Sequence, residues 1–246
     1  YCRILLTYII LFLTPDTVLF LRKQCECLSW LCFHATIGNF SSFLNSLITI
    51  NFIALVLALR QRLKYINSRM ANYCQIIEDS EQVFPHSRTT DCISSEDIHK
   101  LRVLYAKVQS LSEAIVHFYG VPLAGVIIWL FLACVYIFYY VAYMISSQSV
   151  LRIANSVIWT MYSVTLIIVL TVSCHVTAAE SRAMMVYVQS LLLNTNLPTD
   201  TRHELKSMSF QLLCLKLQFS TCGLFTLDLF FLRTMFGVIV SYIIIM

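Results

Sequence analysis

Apolar residues gather in five blocks along the chain, with polar stretches between them. Three blocks are long and free of charge: Ile37–Leu59, Val121–Ile145 and Ile153–Cys174. Each holds at least 22 residues, enough for a helix to cross a bilayer. Two more are interrupted. Ile4–Leu21 contains Pro15 and Asp16, and Gly223–Met246 contains Asp228 and Arg233. The pattern predicts five spans, A to E, in chain order. Long continuous apolar runs lack the alternation of a barrel strand, so a transmembrane β-barrel is excluded.

The polar stretches carry a different period. Leu63, Ile66, Met70, Tyr73 and Ile77 fall at steps of 3, 4, 3 and 4. Leu101, Leu104, Val108, Leu111, Ile115 and Phe118 continue the theme, as do Leu205, Met208, Leu212, Leu215 and Phe219. Each set predicts an amphipathic helix. The first extends span B, and the second starts at Ser94-Ser95-Glu96-Asp97 and leads into span C. Ahead of the third, Pro198 is followed by Thr201 and then by Glu204, a capping-box spacing. Residues 78–97 are acidic and Ser/Thr-rich, and read as a mobile loop. Three such helices beneath a bundle form either a simple cap or an assembly domain between subunits.

The fold class is therefore an all-α polytopic membrane protein. Its expected segments are two transmembrane helices in 1–59, a helical loop in 60–120, two transmembrane helices in 121–174, a loop with an anchor helix in 175–222, and a final transmembrane helix in 223–246. Charge orients the bundle. Twelve Lys and Arg lie in 60–120 and 175–222, against three (Arg22, Lys23, Arg152) in the loops of the other side. The positive-inside rule places the long loops in the cytoplasm and the C-terminus outside.

Composition agrees. Of 246 residues 59% are hydrophobic and 12% charged, about half the usual charged share, and the mean hydropathy is +0.76. A water-soluble enzyme, a secreted disulfide module and a disordered chain are excluded as classes. The net charge of +4 is small and scattered, so nucleic-acid binding is not expected. The chain begins with Tyr1 inside an apolar run. Thr234–Met246 gives only 13 charge-free residues, roughly 20 Å of helix against a core of about 30 Å. Both ends suggest a piece of a longer protein.

Chemistry is sparse. The 10 cysteines are scattered. Cys25, Cys27, Cys32 and His34 match no zinc spacing, so no metal site is expected. No P-loop, His-x-x-x-His or Gly-x-Ser-x-Gly motif occurs; neither an enzyme nor a cofactor is indicated. Asn39-Phe40-Ser41 has the form of a glycosylation sequon close to the outer end of span B. Asp16 reads as an interfacial turn rather than a buried functional carboxylate. Tyr136, Tyr139, Tyr140 and Tyr143, with Trp159 and Tyr162, crowd the outer halves of spans C and D. They form either an interfacial belt or, for Tyr136, Tyr140, Trp159 and Tyr162, the wall of a ligand pocket. In span E, Thr234, Val238, Ser241 and Ile245 share one helical face beside Gly237. Hydroxyls there suit a hydrated cation, aliphatics suit a dewetting gate, and Gly237 suits close helix packing or a hinge.

Gly223, Phe225 and Asp228, followed by Gly237 and then Ser241-Tyr242, resemble the C-terminal signature of insect gustatory receptors. In that family a Gly-x-Phe-x-x-Asp element precedes the last helix and a Thr-Tyr or Ser-Tyr pair lies within it. The order of long loop, two spans, basic loop and final helix is similar too. The resemblance covers the third to seventh helices of a seven-helix chain. It implies a taste chemoreceptor of the sensory-neuron plasma membrane, acting as a ligand-gated, non-selective cation channel. It also implies a homo- or hetero-tetramer, an axial pore lined by the last helix, cytoplasmic anchor helices, and a small-molecule tastant bound in the outer half of each bundle. Residues 203–219 would then be the anchor part of the last helix and 224–246 its pore part, with Tyr242 in the family pair. Ile243 stands where sugar receptors often carry Glu, which favours bitter or other non-sugar tastants. Odorant receptors and, on a reversed topology, a G-protein-coupled type are the alternatives.

Overall fold

In the computed structural model, the described residues are 30–83, 94–144, 150–193, 197–215 and 217–245; the side chains of 30–41, 78–83, 137, 139–144, 150–153, 155, 156, 243 and 245 are excepted. Span A, Asp16, Cys25 and Cys27 lie outside them, as do the side chains of Cys32, His34, the sequon, Tyr139, Tyr140, Tyr143 and Ile245.

Five helices and one hairpin follow in order: α1 (Trp30–Val83), α2 (Ser95–Met144), α3 (Val150–Leu193), α4 (Thr199–Cys214), β1 (Ser220–Thr221), β2 (Phe225–Thr226) and α5 (Leu229–Ile245). The chain divides into two compact units, Tyr1–Ala54 and Leu55–Met246. In the first, the described residues belong to α1. The Ser46 and Thr49 hydroxyls there donate to the carbonyls of Ser42 and Asn45, at 2.7 and 2.8 Å. Such back-bonding is how an apolar helix keeps hydroxyls satisfied. α3 does the same at Thr171, Ser173 and Thr177.

Three of the described helices are long and apolar enough to span a membrane, and they carry spans B, C and D. Each runs on past its apolar part without a break. α2 does so through Pro122, which removes one intrahelical hydrogen bond where the charged half meets the apolar half. Span E is shorter. α5 has 17 residues, roughly 26 Å of helix.

The core of the second unit is a four-helix bundle with a seven-residue rhythm. α1 buries Val56, Leu59, Leu63, Ile66 and Met70; α2 buries Ile98, Leu101, Tyr105, Val108, Ser112 and Ile115. α3 contributes Thr177, Ser181, Met184, Val188 and Leu191, and α4 contributes Thr201, Leu205, Met208 and Leu212. Alternating steps of 3 and 4 keep one stripe of each helix facing the others. α2 packs on both α3 and α4, and α3 packs on α4.

Polar contacts between the helices fix their register. Asn67 of α1 is buried, and its amide donates to the Glu180 carbonyl (2.8 Å) and Oε2 (3.2 Å) on α3. Arg60 lies 3.8 Å from the same carboxylate. The Tyr105 hydroxyl meets the Ser181 hydroxyl at 2.8 Å inside the bundle. Burial raises the pKa of this phenol, and the Ser181 hydrogen bond offsets part of the rise. Between α2 and α4, Glu204 Oε2 sits 3.2 Å from Arg102 Nε and 3.4 Å from His99 Nδ1.

Four expectations change. First, the second amphipathic face is rotated: Leu111 and Phe118 are 54% and 73% exposed, while Tyr105 and Ser112 take core positions. Apolar spacing alone had no reason to choose a serine. Second, α4 starts at Thr199 behind Pro198, with no side-chain cap. Thr201 is therefore inside the first turn and buried, and Glu204 pairs with α2 rather than closing a capping box. Third, α4 ends at Cys214. Leu215 is exposed, and Phe219 is buried from an extended segment rather than from a helix. Fourth, within 78–97, residues 78–83 end α1 and 95–97 begin α2. Ser94 caps that start, its hydroxyl accepting from the Glu96 N–H at 3.2 Å.

Candidate pore helix and its hairpin mount

The segment between α4 and α5 contains the sequence motif, and each motif residue has a mechanical task. Cys222 and Gly223 both adopt positive φ, 51° and 71°. Glycine takes such a conformation without steric cost. They reverse the chain so that Thr221 pairs with Phe225 and Ser220 with Thr226, antiparallel. The Leu224 N–H donates to the Thr221 carbonyl at 2.9 Å. The Thr221 hydroxyl donates to the Phe225 carbonyl at 3.3 Å, and the Leu227 N–H closes the base on the Phe219 carbonyl at 2.8 Å.

Phe225 stacks on Phe231, with ring centroids 5.2 Å apart and an interplanar angle of 21°. This contact clamps the hairpin to the first turn of α5. Asp228 is the N-cap. Its Oδ1 accepts from the Phe231 N–H at 2.8 Å, three residues on, which is the bond that satisfies an orphan donor at a helix start. Its carboxylate also complements the positive end of the helix dipole. Thr226 Oγ1 lies 3.4 Å from Oδ2. A polar anchor at the helix end is thus the part Asp228 plays within the chain.

α5 leaves the hairpin with one covered side. Met235 and Ile239 are buried, and the helix packs on α2 and α3. Thr234, Gly237, Val238, Ser241 and Tyr242 are exposed. The backbone of Ile245 continues the same helix. The Thr234 hydroxyl donates to the Phe230 carbonyl and the Ser241 hydroxyl to the Gly237 carbonyl, both at 2.9 Å. With the proton turned inward, the oxygen lone pairs stay free to accept from water or to face a cation. Among the described residues, a Cβ placed on Gly237 would meet nothing within 4 Å, so none of them requires a glycine there. Arg233 is exposed beside this face.

The aromatic set is only partly assembled. Trp159 and Tyr162 make an edge-to-face contact, centroids 5.9 Å apart at 88°, as residues three apart on a helix do. Both are half-buried. Tyr136 is 64% exposed on α2, and the Tyr140 side chain lies outside the described residues. Two cavities flank the hairpin instead. One of about 620 Å³ lies among α3, the end of α4 and the start of α5, where His175, Arg182, Phe219 and Asp228 line it. The other, of about 530 Å³, opens between α2 and the hairpin. Neither includes Tyr136, Trp159 or Tyr162 in its wall. The sequence reading missed both, because their walls come from a hairpin of two-residue strands that no periodicity announces. Among the described residues, no group of three or more His, Cys, Asp or Glu is placed to hold a metal.

A helix bundle with three helices long and apolar enough to cross a membrane, followed by a capped apolar helix, is the architecture of a multi-pass membrane protein. A family model described as 7tm chemosensory receptor matches residues 1–246. The chain belongs to the 7tm chemosensory receptor family, in accord with its likeness to insect gustatory and odorant receptors. No curated protein matches it.

Proposed function

We propose that this chemoreceptor chain is a subunit of a ligand-gated, non-selective cation channel that senses taste compounds. The carrying observation is the two-sided character of α5. Met235 and Ile239 are packed inside the subunit, while Thr234, Val238 and Ser241 present hydroxyls and an aliphatic group on an uncovered face. Four copies of such a helix around an axis would give a path in which hydroxyl oxygens replace part of a cation's hydration and Val238 closes by dewetting. Tyr242 and Ile245 would lie at the outer end of this path.

The gustatory reading rests on Ser241-Tyr242, and Ile243 favours a bitter or other non-sugar ligand. The pocket for it would draw on Tyr136, Tyr140, Trp159 and Tyr162. Apolar residues left exposed on the bundle, such as Leu111, Phe118, Val186, Phe210 and Leu213, supply surface for subunit contacts in a tetramer. The setting would be the plasma membrane of a gustatory neuron, with the long loops in the cytoplasm as the positive-inside rule gives.

The test is cysteine substitution in the full-length receptor under voltage clamp, with a broad tastant panel. Silver ions should block Thr234→Cys, Val238→Cys and Ser241→Cys channels and spare Met235→Cys and Ile239→Cys. Absence of any cation current, or equal block at both sets, overturns the reading. An epitope after Met246 that stains only permeabilised cells, in protein at the surface, would overturn the topology behind it.

A further inference from the structure

α1 and α3 run side by side in one parallel register. Asn67 Nδ2 donates to the Glu180 carbonyl at 2.8 Å, and Cys74 Sγ donates to the Tyr187 carbonyl at 3.7 Å. Both pairs are 113 residues apart, so both members advance by seven from one pair to the next. A ladder with this spacing is a coiled-coil seam, about 10 Å per step. Leu63, Ile66 and Met70 are fully buried around the Asn67 rung. Asn67 is thus a polar residue in an apolar stripe, the position at which one amide sets the register of a seam.

Glu180 has more claimants than it satisfies. Asn67 is 6% exposed, and its Nδ2 also donates to Glu180 Oε2 at 3.2 Å. Facing two acceptors, the amide cannot turn its oxygen toward them, and among the described residues the buried Asn67 Oδ1 has no partner. Arg60 lies one heptad before Asn67. The same offset sets it opposite Ser173, whose hydroxyl is given to the Val169 carbonyl at 2.7 Å. Arg60 instead reaches along the seam to Glu180, with Nη2 3.8 Å from Oε1, too long for a hydrogen bond. Its buried Nε has no partner among the described residues either. A buried polar atom left unpaired is costly, and this layer holds two. Sliding α1 toward its C-terminal end would bring Arg60 onto the carboxylate and carry Asn67 past it.

We propose that Glu180 is a shared latch for which Asn67 and Arg60 compete. α1 slides along α3 between two registers: the Asn67-held one of the structure, and one in which Arg60 pairs closely with Glu180. A guanidinium on a carboxylate is the stronger single partner, while Asn67 gains the Glu180 backbone carbonyl as well, so each register has a gain that the other lacks. Exchange of partners at one fixed group makes packed helices two-state rather than continuously deformable. α3 also packs on α5, so the helix along which α1 slides is one that supports the C-terminal segment. The exchange is a property of the single subunit and requires no current.

Cys74 provides the readout, because its half-buried thiol is held to Tyr187 only in the observed register. Full-length receptor in detergent would be labelled with N-ethylmaleimide, and the rate at the Cys74 peptide read by mass spectrometry, with Cys74→Ser as blank. Apparent Tm is taken on the same samples. Asn67→Leu releases the observed register, so labelling should rise on the order of tenfold. Its Tm should hold or rise, since an apolar side chain then completes the stripe. Arg60→Gln removes the competitor at a part-exposed site and should slow labelling severalfold, which decides the matter even if Asn67→Leu fails to fold. The double variant loses both holders and should return close to the wild-type rate. Faster labelling in Arg60→Gln, rates that merely follow a falling Tm, or a Cys74 rate that neither substitution moves would each overturn the proposal.

Discussion

Replacing Asp228 separates two meanings of the family motif. If the carboxylate is a cap, what matters is an oxygen acceptor 2.8 Å from the Phe231 N–H. Asp228→Asn keeps such an acceptor and loses only the charge–dipole contribution, about 0.5 kcal/mol. Asp228→Ala loses the charge and the cap together, about 2 kcal/mol in all. For a chain of this size each kcal/mol moves Tm by about 2–4 °C. The expected drops are about 1–2 °C for Asn and about 4–8 °C for Ala. The assay is apparent Tm of full-length receptor in detergent, read by fluorescence-detected size exclusion after heating at one fixed rate. An Asn variant as damaged as the Ala variant would refute the cap and assign the residue's importance to its charge. No shift in either would mean that α5 does not depend on this N-terminus.

Three further outcomes follow from the same geometry. Gly223→Ala meets no atom within 4 Å, so its cost is purely that of forcing Ala to a φ of 71°, about 1–2 kcal/mol. Gly223→Asn should recover much of it, and equal Tm for all three would refute the turn assignment. Tyr105→Phe and Ser181→Ala should each destabilise, and their double-mutant cycle should show a coupling of about 0.5–1.5 kcal/mol from the 2.8 Å bond; strict additivity would remove that bond from the core. Gly237→Ala should stabilise the isolated subunit by up to about 1 kcal/mol through helix propensity while lowering the oligomeric fraction in native mass measurements. Unchanged oligomer would mean that no neighbouring helix approaches at Gly237.

The elements legible in the sequence were those with a strong period or a long apolar run. Spans B, C and D and the start at Ser94 could be read directly. The half of α3 beyond Cys174 could not, because its buried stripe opens with Thr177 and Ser181 before reaching Met184, Val188 and Leu191. A search for apolar periodicity passes over hydroxyls that are satisfied inside the helix, as Thr177 is by the Ser173 carbonyl. The rotated face of α2 fails for the same reason at Ser112. The hairpin is a different case. Its strands have two residues each, too short for any alternation, and only family likeness marked the stretch. The mechanical roles of Gly223, Phe225 and Asp228 then came from dihedral angles, a ring stack and one hydrogen bond. The aromatic set shows the converse. Helical spacing guarantees that Trp159 meets Tyr162, yet a pocket needs facing residues from other helices, which no spacing along one helix can supply.

The division of α5 bears most directly on function. At 100° per residue, Met235 and Ile239 occupy one arc, Thr234, Val238, Ser241 and Ile245 a second, and Phe230, Val240 and Ile244 a third. The first arc is buried. The third is apolar, with Phe230, Val240 and Ile244 75%, 51% and 78% exposed, as lipid or a neighbouring subunit would require. The second is the one in which hydroxyls recur at a seven-residue interval, and among the described residues it has no packing partner to explain them. A helix that only anchored the chain in lipid would have no use for that stripe, since each hydroxyl lowers its hydrophobicity and gains only a bond to its own backbone. A helix that lines water would. The capped hairpin then has a clear purpose. It fixes where α5 begins relative to α2 and α3, and in the proposed channel it would set which arc faces the axis.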